Sequence, residues 1–169
     1  MPTTRRQIYS AADEWHERVK PTHHLRLSLH KAKCMDPIGK RTWIRGDEII
    51  YGEVYQRFIR SLSKGFAPNR NVWKRFKSIL PNMGCLHGKS GKTDWHLHIN
   101  LRLPDRVDEE TLLHKIYLTV WNEPWVPRGL DYFHLSAIRS GPRTLSYTMK
   151  EGFDHVLGVP WDRKPIETS

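Results

Sequence analysis

Two histidines flank one leucine in WHLHIN, residues 95 to 100, and a third, His87, stands nine residues before His96 across a turn rich in Gly and Lys. Side chains of a strand alternate between its faces, so His96 and His98 project together while Leu97 and Ile99 project the other way. Imidazole is the commonest metal-ligating side chain, and two on one strand at i and i+2 aim at a common point. The strand alone favours a plainer reading, a solvated polar face opposite a buried face of Leu97, Ile99, Leu101 and Leu103. A third ligand would decide. His87 is the first candidate, because the turn GKSGKTD can fold its strand beside the pair. Asp94, His30 and His24 are the alternatives; Asp94 shares the parity of the pair but sits at the turn end.

Tyr147 and Lys150, in LSYTMKEG, are the second constellation, three residues apart and so on the same side of a helix. By themselves they read as a half-buried aromatic with a lysine laid over it. Only in combination with the histidines do they gain weight as chemical groups.

The elements that must position these groups follow from periodicity. THHLRLSLHKAK alternates Leu25, Leu27 and Leu29 against His24, Arg26, Ser28 and His30, a half-buried strand. DEIIYGEVYQRFIRSLSKGF carries Ile50, Val54, Phe58 and Leu62 at i, i+4 steps, an amphipathic helix ending near Gly65. Residues 66 to 77 are basic and aromatic and fit either a short helix or an exposed loop. SILPNMGCLHGKSGKTDWHLHINLRLP reads as a hairpin. DRVDEETLLHKIYLTVWNEPW predicts a helix with Leu112, Leu113, Ile116 and Val120 on one face, stopping before Pro124. DYFHLSAIRS predicts another strand, and GPRTLSYTMKEG a helix with Pro142 in its first turn and Gly152 near its end. The sum is an α+β domain with a central, mainly antiparallel sheet of about five strands flanked by helices. Residues 22–157 form that domain. Residues 1–21 are a polar extension with a short helix capped at Ser10, and 158–169 a poorly ordered tail.

Composition narrows the partners. The 169 residues suit one domain with a real core. A net charge of +10 points to a polyanion, most simply nucleic acid. Arg26, Lys31, Lys33, Arg70, Lys74, Lys89 and Lys92 are the candidate phosphate contacts, with Arg75 and Lys77 in the same basic stretch. No apolar run approaches a spanning helix and the start MPTTRRQIYS lacks a secretory stretch, so a soluble, cytosolic protein with no membrane partner is expected. Cys34 and Cys85 fit no CxxC spacing and read as buried thiols, and the seven tryptophans as packed or partly buried.

The motif order, an HxH strand with an upstream third ligand and then a helix carrying YxxK, resembles the HUH endonuclease superfamily, in particular rolling-circle replication initiators with a single catalytic tyrosine. WHLHINLRLP and LSYTMKEG carry the resemblance. LRLSLHK looks like the family's weak first motif, and CLHGK stands where these proteins carry a metal-binding Glu or His; the match runs over residues 22 to 155. It implies an HUH/RRM-like fold and a divalent ion, Mn or Mg or else Zn, held by His87, His96 and His98. It also implies attack by Tyr147 on a scissile phosphate, giving a 5′-phosphotyrosine link and a free 3′-OH, with Lys150 assisting. Three imidazoles without a carboxylate suit Mn²⁺ or Zn²⁺ better than Mg²⁺. The stored phosphodiester energy permits rejoining without ATP. The implied substrate is single-stranded DNA or a DNA hairpin at a replication origin, in a bacterial or archaeal cell or the host cell of a virus. With no helicase domain in these residues, a host helicase is an expected partner. A small HUH transposase or relaxase, a non-catalytic nucleic-acid-binding module and a metal-dependent hydrolase using activated water are the competing readings.

Overall fold

The computed structural model describes residues 5–35, 39, 41–67, 69–71, 80–89, 91, 93–105, 107–150 and 156–157. In chain order they form α1 (Arg5–Val19), β1 (His23–Ser28), β2 (Ala32–Met35), β3 (Thr42–Arg45), α2 (Glu48–Phe66), β4 (Asn82–His87), β5 (His96–Leu101), α3 (Glu109–Asn122), a 3-10 turn (Leu130–Tyr132), β6 (Phe133–Ala137), α4 (Gly141–Thr148) and β7 (Val156–Leu157). Five strands make one sheet in the order β6-β1-β5-β4-β7, antiparallel at every pairing. The α+β class with a central antiparallel sheet is the one the sequence predicts.

One face of the sheet carries the apolar half of the alternation. Leu25 and Leu27 of β1, Leu86 of β4 and Leu97, Ile99 and Leu101 of β5 are buried there against α2 and α3. Helix α2 starts where the Asp47 carboxylate accepts from the Ile50 N–H at 2.8 Å, satisfying one of the donors a helix start leaves open. Its buried stripe is Tyr51, Val54, Tyr55, Phe58, Ile59 and Leu62, and each such side chain taken from water contributes about 1.5–3 kcal/mol. Asp108 caps α3 in the same way through the Thr111 N–H, 2.7 Å away. Leu112, Ile116 and Val120 are fully buried, whereas Leu113, expected on that face, is 39% exposed. Helix α2 approaches β4 so closely that a Cβ on Gly84 would stand 2.4 Å from the Tyr55 ring, which is why this strand interior holds a glycine. At the end of β4, Gly88 has a φ of 114°, turning the chain toward β5.

The opposite face is also covered. Helix α1 lays Ala12 and Trp15, and α4 and the residue after it Leu145 and Met149, on Met83 and Cys85 of β4. The segment expected as a polar extension thus holds a 15-residue helix that begins at Arg5, ahead of Ser10, and roofs part of the sheet. The plainer reading of the strand alone, a solvated polar face, does not hold: His96, His98 and Asn100 are at most 4% exposed. Alternation tells which side a residue takes, and only tertiary packing tells whether that side is wet.

Smaller corrections concern the first long strand and two expected buried groups. THHLRLSLHKAK is two elements: β1 ends at Ser28, and β2 pairs with β3 in a separate ribbon the sequence did not suggest. Cys34 on that ribbon is only half-buried, and Trp43 is 70% exposed. Burial pushes the Cys85 thiol up to about 12, so it is an inert buried thiol as expected. The choice between helix and loop over 72–77, the helix end at Gly152 and the tail 158–169 lie outside the described residues. No helix among the described residues is long and apolar enough to cross a membrane.

Candidate functional site

Register assembles the site. Directly opposed residues of antiparallel neighbours share a face, and β4 pairs with β5 so that His87 stands opposite His96 and Cys85 opposite His98. Ring centroids are 5.2 Å apart for His87 and His96, 4.3 Å for His87 and His98 and 4.9 Å for His96 and His98. One nitrogen from each ring lies within 4.8 Å of the other two, and all three residues are buried. This cluster can hold a metal ion.

Hydrogen bonds of the remaining nitrogens support that reading. Metal-ligating histidines characteristically donate their other N–H to an outer acceptor, which fixes the tautomer. His87 Nε2 donates to the Thr148 carbonyl at 2.7 Å and His96 Nδ1 to the Asp94 carbonyl at 2.6 Å. His98 Nδ1 shares a hydrogen with His24 Nε2 at 2.9 Å. The Nε2 of His98 is buried with no hydrogen-bond partner among the described residues, as a nitrogen reserved for a metal would be. Burial first, then the neighbouring His87, His24, His96 and Lys150, pulls the His98 pKa down to about 2, and burial with His134 and His87 pulls His24 to about 4. Both rings are therefore neutral near pH 7, the form that ligates.

The other proposed third ligands fall elsewhere. The Asp94 carboxylate is exposed and bonds Lys31 Nζ at 2.8 Å, a pairing that holds its pKa below the ordinary carboxylate value. His30 is exposed beyond the end of β1. His24 is buried but engages His98 itself.

Comparison with protein-family models, curated proteins and solved structures found no match to this chain.

Tyr147 comes from α4, whose first turn holds Pro142 as expected. Its ring stands edge-on to His98 at 5.0 Å and to His24 at 6.0 Å, and it is 48% exposed, so one side meets the histidines while part of the side chain is open to solvent. Lys150 Nζ lies 4.5 Å from the Tyr147 ring centroid. The five residues singled out as chemical, His87, His96, His98, Tyr147 and Lys150, are thus gathered in one place from two strands and one helical segment.

The basic candidates disperse. Arg26 is exposed on the site face, opposite His98 on one side and His134 of β6 on the other. Lys31 and Lys89 are exposed and paired with Asp94 and with Glu48, the latter at 2.9 Å; such exposed pairs hold weakly. Lys33 is half-buried and Arg70 exposed. Lys74, Arg75, Lys77 and Lys92 lie outside the described residues.

Sequence reasoning missed the inner support of the site. The Asn100 amide donates to His16 Nε2 of α1 at 2.9 Å. The Thr148 hydroxyl, 2.8 Å from the Thr144 carbonyl and 3.3 Å from Asn100 Oδ1, donates to one or the other. Asn100 and Arg26 were visible as same-face neighbours of the histidines by parity. His16 and Thr148 come from the two roofing helices, and no local pattern joins them to the site.

Proposed function

We propose that this protein is an HUH-type, single-tyrosine DNA endonuclease and strand transferase that nicks and rejoins single-stranded DNA, as initiators of rolling-circle replication do. The observation that carries the reading is the Tyr147 ring set edge-on to a buried three-histidine cluster, with Lys150 on the tyrosine.

His87, His96 and His98 would hold a divalent ion, Mn²⁺ or Zn²⁺ suiting the all-imidazole set better than Mg²⁺. Such an ion supplies Lewis-acid polarisation of the scissile phosphate. Tyr147 Oη attacks phosphorus, forming a phosphotyrosine bond to the 5′ side as the bond to the 3′ oxygen breaks. The phenolic proton leaves to solvent and the departing oxygen takes one up as a 3′-OH. Lys150 stabilises negative charge on the phosphate and phenolate. One phosphodiester replaces another, so the reverse attack by a 3′-OH reseals the strand without ATP.

Arg26, on the same face as the histidines, is the favoured phosphate contact beside the cleft. The substrate is a single strand or a hairpin loop, since in-line attack needs a splayed backbone. The test is a denaturation-resistant protein–DNA adduct formed by wild type and absent from Tyr147→Phe.

A further inference from the structure

Each of the three clustered histidines has its outer nitrogen engaged, but not by the same kind of group. His87 and His96 meet main-chain carbonyls, which only accept, so their tautomers are fixed by the fold. His98 meets a side chain, His24 Nε2, on a strand that contributes none of the three clustered histidines. The near-parallel rings, 20° apart, share one hydrogen that either could own.

The surroundings decide the owner. If His24 donated, His98 would carry its proton on Nε2, a buried donor with no partner among the described residues. Leaving such a donor unsatisfied costs about 1–3 kcal/mol. If His98 donates from Nδ1, its Nε2 instead keeps a lone pair beside His87 and His96. His24 must then carry its own proton on Nδ1 and accept through Nε2.

We propose that His24 is a positioning residue that locks His98 as the Nδ1–H tautomer, so that Nε2 presents a lone pair to the His87 and His96 side of the cluster. The role in metal uptake rests on the metal reading above; the tautomer itself does not. Because the hydrogen bonds from His87 to Thr148 and from His96 to Asp94 run to main-chain carbonyls, His24 offers an outer contact of the cluster that a substitution can remove without touching a candidate ligand.

The test is ¹⁵N NMR of the imidazoles in the full metal-free chain, with calorimetric titration of Mn²⁺ and Zn²⁺ in the absence of DNA. Wild type is expected to show His98 protonated at Nδ1. His24→Gln, whose Oε1 can accept the same hydrogen, should keep that tautomer and wild-type affinity. His24→Phe, of similar size but without an acceptor, should shift His98 toward Nε2–H and weaken metal binding about 10–100-fold. A wild-type His98 protonated at Nε2 would overturn the proposal, as would an unchanged tautomer in His24→Phe. Should His24→Phe fail to fold, the wild-type and His24→Gln spectra still decide. A chain that shows the expected tautomer but takes up neither ion would sink the metal reading alone and still support His24 as the residue that orients His98.

Discussion

Nε2 of His87 lies 2.7 Å from the carbonyl oxygen of Thr148, the residue that follows Tyr147. A ligand candidate on β4 is therefore hydrogen-bonded to the main chain of the segment that carries the nucleophile candidate. Moving α4 away from the sheet would break that bond. Cluster and tyrosine are positioned together, with Asn100 beside the Thr148 hydroxyl and bonded to His16 of α1.

Asn100→Leu should expose the consequence of that connection. It fills similar space, removes the amide that bonds His16 and stands by Thr148, and should destabilise the fold by about 1–3 kcal/mol. Tyr147 would be less firmly placed, so the adduct should form more slowly while Mn²⁺ affinity changes little. Thermal denaturation and a time course of adduct formation check this; wild-type values for both would contradict it.

Arg26→Ala should weaken single-stranded DNA binding uniformly across sequences and lower the slope of log K against log salt by about 1. Metal affinity should be unchanged, because Arg26 is exposed and outside the histidine cluster. Fluorescence anisotropy over a salt series separates this from a structural defect. An unaltered slope would remove Arg26 from the DNA contacts.

Stability of the metal-free protein should fall on acidification. His24 and His98 have folded-state pKa values near 4 and 2, both below the ordinary 6.5. Above 6.5 they are neutral in both states and cost nothing. Below it the unfolded chain takes up protons that the folded rings refuse, so stability is lost progressively from about pH 6.5 down toward 4 and below. Denaturant unfolding at pH 7.5 and pH 5 should show a drop of a few kcal/mol, about 1.4 for each unit over which one ring resists protonation. Equal stability at the two values would mean that the rings are not buried as neutral groups.

Much of the fold was legible because period-two and period-3.6 patterns are local. The Leu25 to Leu29 alternation, the Val54, Phe58 and Leu62 stripe and the Gly-rich turn before His96 each announce an element within a dozen residues. The candidate site was legible for the same reason, since parity puts His96 and His98 together and a hairpin brings His87 opposite. What local patterns could not show is coverage. Whether the histidine face was wet depended on α1 and α4, elements far from β5 in sequence, and the polar appearance of SAADEWHERVK hid Ala12, Trp15 and His16, which α1 buries. The β2 and β3 ribbon escaped because its short strands pack little and need no strict alternation.

The most direct measurement uses wild type and Tyr147→Phe, incubated with mixed single-stranded DNA and Mn²⁺ and resolved on a denaturing gel. A protein–DNA adduct that survives denaturation in wild type and disappears with Tyr147→Phe is the expected result. An adduct that persists in Tyr147→Phe, or cleavage by that variant at the wild-type rate without any adduct, would contradict covalent chemistry at Tyr147.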